Sequence, residues 1–184
     1  DEVEEVEKKV DKIDKENEDL LRKVIRDAER INEENTRLLE DILRKAKKMV
    51  DDVREILKDR KDAKEDIDRL LKELKKLLEE VAEEVKKSLE KLKELLEKVK
   101  REVDESLKRL EDELRDVVRK IGKDLEEEVR RVAERVKEVV KHSRELLKRV
   151  EDMVRRIVEH SKRLLDEVRE RVKDLLRKIA EARK

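Results

Sequence analysis

The chain has 184 residues, of which 59% are charged, and its 54 basic and 54 acidic side chains balance to a formal net charge of zero. It contains no aromatic residue, no proline, no cysteine and a single glycine, a composition that nearly excludes sheets and loops and removes disulfides and cysteine-based zinc sites. We therefore expect an all-α protein of long helices, without the roughly 18–20 consecutive apolar residues of a membrane span.

Intrinsic disorder is the first alternative for a chain with so many charges, because a sparse set of apolar residues often cannot offset the entropy of ordering. Here 35% of the residues are apolar, and they recur on one helical face for almost the whole length. The equal numbers of acidic and basic residues also keep electrostatic self-repulsion small. The pattern favours folded helices over a disordered chain.

The first predicted helix covers residues 2–58 and opens with the acidic segment DEVEEVE, which suits the positive end of a helix dipole. Its end is weakly marked, because residues 58–66 (KDRKDAKED) lack glycine and have Ala63 as their only apolar residue. We place a turn at residues 59–62. A continuous helix through residues 1–121 is the alternative that this junction leaves open.

The second and third predicted helices cover residues 63–121 and 125–182. Each begins at an aspartate followed three residues later by a glutamate, the spacing of a capping box: Asp62 with Glu65, and Asp124 with Glu127. Gly122 directly follows a cationic helix end, as expected at a C-terminus. Helices about 85 Å long with connections of about four residues must be antiparallel to their chain neighbours. We therefore predict a single-chain antiparallel three-helix bundle over residues 1–184.

The apolar positions recur in an 18-residue repeat. In the third helix, LEEEVRRVAERVKEVVKH (residues 125–142) is followed in register by SRELLKRVEDMVRRIVEH (143–160) and SKRLLDEVRERVKDLLRK (161–178). One such repeat makes five turns at about 3.6 residues per turn, the period of a helix that does not supercoil. We expect nearly straight helices whose apolar arcs, about 140–180° wide, suit contact with two neighbours.

The uncharged polar residues are few and regularly spaced. They are Asn17, Asn32, Asn35, Thr36, Ser88, Ser106, His142, Ser143, His160 and Ser161. In an antiparallel hairpin, residues at the same height have a constant sum of residue numbers. That sum is 123 for both Asn17–Ser106 and Asn35–Ser88, which implies a turn near residue 61 or 62. The predicted first junction lies at the same place, so the spacing favours three helices over the continuous one.

These pairings, with the equivalent ones between the second and third helices, assemble the polar residues into two levels about 27 Å apart along the helices. One level contains Asn17, Ser106, His142 and Ser143; the other contains Asn32, Asn35, Thr36, Ser88, His160 and Ser161. A buried amide or hydroxyl without a partner costs roughly 1–3 kcal/mol, whereas satisfied groups specify which helices meet. We predict two inter-helix hydrogen-bond networks that fix helix order and register. The alternative is that these are incidental residues at the edge of the core.

The helices also differ in charge. Residues 1–58 hold 19 acidic and 15 basic side chains, a net charge of −4, whereas residues 124–184 hold 15 and 19, a net charge of +4. These two predicted helices are parallel in the bundle, so they should attract each other, modestly because exposed pairs contribute little.

No catalytic, cofactor or metal site is indicated. His142 and His160 are one full repeat apart, not on adjacent turns as in a zinc-binding pair on one helix, and no nucleophile and base accompany them. A pH-responsive role remains open, since it requires that the neutral imidazoles be buried hydrogen-bond acceptors. Interleaved acids and bases without aromatic residues argue against nucleic-acid and membrane binding.

The chain resembles de novo designed helical bundles of the parametric kind with buried hydrogen-bond networks. The resemblance covers the whole chain and rests on the 18-residue repeats, the Glu/Lys/Arg surface, the segments DAKE (residues 62–65) and DLEE (124–127), and the Asn, Ser and His levels. The first junction departs from the usual pattern by lacking glycine and proline. Long spectrin-like natural rods are the competing family, but their repeats contain aromatic residues.

This resemblance implies no natural biochemical function, substrate or cofactor. It implies a structural scaffold: a soluble, monomeric rod without a targeting signal, whose polar levels specify helix pairing. The alternative is an interaction component, three helices of a heteromeric bundle that accepts a further helix or associates with itself. The wide apolar arc of the third helix, from Met153 to Ala180, leaves that alternative open.

Overall fold

The computed structural model describes residues 2–59, 63–121 and 126–182. Three helices make up nearly all of them: α1 (Glu2–Asp59), α2 (Lys64–Ile121) and α3 (Glu126–Ala182). Each bound lies within one residue of its predicted position, and the described residues contain no strand. The all-α class is confirmed. None of the described helices has an apolar stretch that could cross a membrane.

Acidic residues occupy the first turn of each helix, where they stabilise the positive end of the dipole. They are Glu2, Glu4 and Glu5 in α1, Glu65 and Asp66 in α2, and Glu126, Glu127 and Glu128 in α3. The first helical hydrogen bond of α2 runs from the amide of Ile67 to the carbonyl of Ala63, at 3.0 Å. The predicted caps Asp62 and Asp124, the predicted helix end Gly122, and the turn residues 60–62 lie outside the described residues.

α1 and α2 are antiparallel neighbours. The Nζ of Lys9, near the start of α1, lies 3.3 Å from Oε1 of Glu113, near the end of α2. In a continuous helix through residues 1–121 these two residues would be about 150 Å apart, so that alternative is wrong. α3 returns parallel to α1, and its Arg135 Nη2 lies 3.3 Å from Oδ1 of Asp11.

The helices pack in two compact units. Unit 1 contains Asp1–Ala28 and Leu92–Arg155, and unit 2 contains Glu29–Lys91 and Arg156–Lys184. Each unit therefore contains one segment of α1, one of α2 and one of α3. The interpretation of residues 1–184 as a single domain stays a prediction.

The core of unit 1 is built from aliphatic side chains of all three helices. One cluster contains Val3, Val6, Val10, Leu110, Val117, Val132, Val136 and Val139. Val10 and Leu110 have no exposed surface. Burying an aliphatic side chain of this size contributes roughly 1.5–3 kcal/mol, which makes such clusters the main source of stability.

The core of unit 2 has the same character. One of its clusters contains Val50, Val53, Ala63, Ile67 and Ile179, with Leu70, Leu71 and Leu175 packed against it half-buried. Ala63 and Ile67 join the start of α2 to the end of α1 and the end of α3. Their burial anchors the first turn of α2.

The apolar arc of α3 is covered. Val154, Leu165 and Val172 are buried, and Met153 and Ala180, at the two ends of the arc, are half-buried. The arc therefore does not offer the open face that the interaction alternative required. In the described parts of the chain, the exposed large apolar side chain is Val118 of α2, at 49% exposure.

Candidate functional site

The first polar level lies in unit 1. Asn17 of α1 and Ser143 of α3 are each 2% exposed, and Ser106 of α2 is 8% exposed. The Oγ of Ser106 lies 2.9 Å from Oδ1 of Asn17 and 2.8 Å from the carbonyl oxygen of Val103 on its own helix. A polar contact thus joins α1 to α2 inside an aliphatic core.

The second polar level lies in unit 2, one repeat along each helix, and has the same contact as the first. Asn35 is 2% exposed and Ser88 is half-buried. The Oγ of Ser88 lies 2.9 Å from Oδ1 of Asn35 and 2.8 Å from the carbonyl oxygen of Val85. The residue pairs are those that the constant sum of 123 brings together.

Asn32 and Thr36 lie on α1 beside Asn35, and both are half-buried. The hydroxyl of Thr36 donates a hydrogen bond to the carbonyl oxygen of Asn32, at 2.8 Å. This bond lies within one helix, so Thr36 is satisfied without reaching α2 or α3.

Ser143 and Ser161 place buried hydroxyl groups on α3, each at 2% exposure. In the described part of each unit, the hydrogen bonds of the level join Asn17 to Ser106 and Asn35 to Ser88, and none includes the serine of α3. The observed polar contacts therefore connect two helices, not three.

His142 and His160 are exposed, which corrects their assignment to the buried levels. Each directly precedes a buried serine of α3, and one residue is a rotation of about 100° around the helix. That rotation places the imidazoles outside the core. Neither level therefore has the buried imidazole acceptor that a pH-responsive network requires.

We expect the double variant His142→Gln/His160→Gln to melt at the same temperature as the parent chain, at pH 7.5 and at pH 5.5. Substitutions of exposed residues usually change stability by less than about 0.5 kcal/mol. Circular dichroism melts in the presence of denaturant measure the midpoint. A shift of more than about 4 °C at only one of the two pH values would show that the histidines do contribute.

Some polar atoms of the two levels are buried without a hydrogen-bond partner among the described residues. They are Nδ2 of Asn17, Nδ2 of Asn35 and Oδ1 of Asn32. A serine hydroxyl has one hydrogen, so Ser106 and Ser88 can each donate to only one of the two oxygens that lie within 2.9 Å. The amide contacts therefore depend on which amide atom faces each serine.

The carbonyls of Val85 and Val103 were not predicted as part of these contacts. They are the residues three positions before Ser88 and Ser106. Serine in a helix tends to bond to a carbonyl three or four residues earlier. That tendency is the signal that could have identified them.

Arg135 of α3 also makes polar contacts that the sequence did not single out. Its Nη2 lies 3.3 Å from Oδ1 of Asp11 and 3.6 Å from Oδ2 of Asp14, both on α1. The opposite net charges of the first and third helices are the sequence signal for such pairs. Partly exposed pairs contribute little individually, so the aliphatic core remains the dominant interaction between α1 and α3.

Metal chemistry finds no support in the described ranges, where no group of three or more histidine, aspartate or glutamate side chains is arranged to hold an ion. No protein-family model and no curated protein matches this chain. The chain is similar to a solved structure described as "Computationally designed three helix bundle", with a TM-score of 0.51 and 22% sequence identity. The match covers 99% of this chain and 93% of the other. The three-helix bundle fold is thereby confirmed.

Proposed function

We propose that this three-helix bundle is a designed structural scaffold, in which polar contacts inside an aliphatic core specify how α1 pairs with α2. The observation that supports this role is the repeated contact between asparagine and serine, at 2.9 Å in each unit. The 18-residue repeats and the similarity in fold to a designed bundle support the designed origin. The proposed role is structural and not enzymatic.

The contacts supply information that the apolar repeat lacks. Because the apolar positions coincide again after each repeat, α1 can pack against α2 of a second copy in a register shifted by one repeat. In the shifted register that places Asn17 opposite Ser88, Asn35 faces Leu70 and its buried amide loses its partner. That loss costs roughly 1–3 kcal/mol, so the polar contacts favour one register over the other.

The hydrogen-bond count also favours one orientation of each asparagine amide, with Nδ2 toward the serine. In that orientation Nδ2 donates to Ser106 Oγ, and the hydroxyl donates to the carbonyl of Val103, so both short distances are hydrogen bonds. With Oδ1 toward the serine, the hydroxyl can bond only one oxygen and the two N–H groups of Asn17 stay buried without an acceptor. A rotation of the amide by about 180° interconverts the two orientations.

A double-mutant cycle at Ser88 and Asn35 tests the proposal. Ser88→Ala is expected to lower the free energy of unfolding by about 1–3 kcal/mol, because it removes the serine that contacts the buried amide of Asn35. Asn35→Leu is expected to leave that free energy unchanged or raise it, because Ser88 keeps its bond to the carbonyl of Val85. In the Asn35→Leu background, Ser88→Ala is expected to cost less than about 0.5 kcal/mol. Urea denaturation followed by circular dichroism measures each variant.

Ser143→Ala is the matched control, since Ser143 is equally a helical serine but makes no hydrogen bond to the asparagine of its level in the described structure. We expect it to change the free energy of unfolding by less than about 0.5 kcal/mol. A cost at Ser143 equal to that at Ser88, or additive effects in the cycle, would show that the serine does not act through the amide.

A further inference from the structure

A groove of about 510 Å³ lies between α2 and α3 of unit 1. Its apolar lining comes from Leu114 of α2 and from Val136 and Val140 of α3. Val136 is 2% exposed, and the other two side chains are half-buried. Apolar surface is therefore accessible at the seam between these two helices.

Val118 extends this apolar surface by one turn beyond Leu114, at 49% exposure. It is also a break in the 18-residue repeat, because the equivalent residue one repeat earlier is Lys100. The Nζ of Lys100 lies 3.4 Å from Oε1 of Glu151 on α3. One repeat closer to the α2–α3 connection, the positions of this ion pair hold Val118 and Ala133. The charged pair that spans the seam at one level is thus replaced by two apolar residues at the next.

The charges around the groove are mostly cationic. They belong to Glu111, Arg115, Lys137, Lys141, Arg144 and Glu145. Lys137, Lys141 and Arg144 form a row along α3, and the Nη2 of Arg144 lies 4.0 Å from Oε1 of Glu111. Two copies of this groove facing each other would bring their cationic rows together, which is unfavourable, whereas acidic side chains would complement them.

We propose that this groove binds a partner helix whose apolar stripe is flanked by acidic residues. Apolar side chains at i, i+3, i+4 and i+7 of that helix pack on Leu114, Val118 and Val140, and its carboxylates pair with the cationic row of α3. This role is separate from the pairing of α1 with α2 inside the bundle. Its failure would leave the scaffold role untouched.

The dimensions of the groove define the kind of segment that fits. The α3 residues that line it, 136–145, span about 14 Å, or two to three helical turns. An isolated helix of that length is marginal in water. The partner segment is therefore part of a longer helix, of which two to three turns make contact.

Titration with synthetic helical peptides tests the proposal on the full chain. The probe is a 21-residue capped peptide with leucine at heptad positions a and d, glutamate at the flanking e and g positions, and alanine and glutamine elsewhere. Its matched partner has lysine in place of glutamate. We expect the glutamate peptide to shift the ¹⁵N-HSQC signals of Leu114, Val118 and Val140, and to bind at least about fivefold more tightly than the lysine peptide. Added salt is expected to reduce that ratio.

The variant Val118→Lys restores the residue type found one repeat earlier and is expected to weaken binding of the glutamate peptide at least about fivefold. Ala182→Lys is the matched control, since it adds the same charge at an exposed position of unit 2. It is expected to leave binding unchanged, and both variants to melt like the parent. Shifts outside the groove, equal binding of the two peptides, or no binding would overturn the proposal. So would concentration-dependent shifts of the same signals without peptide, which would identify a second copy as the occupant.

Discussion

Leu39→Ala is expected to lower the free energy of unfolding by about 2–5 kcal/mol, because Leu39 is fully buried in unit 2 and its loss leaves a cavity. Leu21 is the equivalent residue one repeat earlier, also fully buried, in unit 1. We expect Leu21→Ala to cost a similar amount, since the 18-residue repeat gives both leucines the same kind of surroundings. Guanidinium denaturation followed by circular dichroism measures both values.

Leu38→Ala is the matched control, because Leu38 is next to Leu39 but only half-buried. We expect it to cost roughly half as much, in proportion to the apolar surface that it removes from the core. Equal costs at Leu38 and Leu39 would contradict the packing described for α1.

The same two leucine variants test whether residues 1–184 form a single domain. If they do, Leu21→Ala and Leu39→Ala both move one shared unfolding transition to lower denaturant. Two transitions, each moved only by the variant within its own unit, would mean that the units unfold separately.

The double variant Asn17→Leu/Asn35→Leu is expected to be at least as stable as the parent chain but to lose its unique helix pairing. Each substitution removes a buried amide that has an unpartnered atom, a change worth about 1–3 kcal/mol in favour of the variant before any strain from the larger side chain. Without the amides, registers shifted by one repeat become nearly equivalent. Light scattering after size-exclusion chromatography is expected to show mixed assemblies, and NMR signals are expected to broaden.

Thr36→Val provides the comparison for this experiment, because the hydroxyl of Thr36 bonds only within α1. This variant is expected to keep the assembly state and the sharp signals of the parent chain. A double asparagine variant that stays as uniform as the Thr36→Val variant would contradict the proposed role of the polar contacts.

The three helices and their bounds were predictable because both depend on local features. A period of about 3.6 residues identifies a helix, and acidic first turns with polar junctions mark where each helix begins and ends. The pairing of Asn17 with Ser106 was also predictable, because height along a bundle follows directly from residue number. A short connection fixes the origin of that count.

What height does not determine is the direction of a side chain across the bundle. Ser143 and Ser161 lie at the predicted heights and are buried, yet they do not bond to the asparagines of their levels in the described structure. His142 and His160 differ from those serines by one residue, and that rotation places them outside the core. Distances and directions between helices depend on how all the side chains pack, which residue spacing alone does not specify.

The hydroxyls of Ser88 and Ser106 lie 2.8 Å from carbonyl oxygens of their own helix, so α2 is chemically self-sufficient at both polar levels. The atoms that depend on another helix all belong to α1, on Asn17 and Asn35. An engineer can therefore edit specificity from one side only: α2 stays constant as a template, while each asparagine of α1 is independently kept or removed. Four versions of one molecule follow from two positions, with no compensating change required in the partner helix.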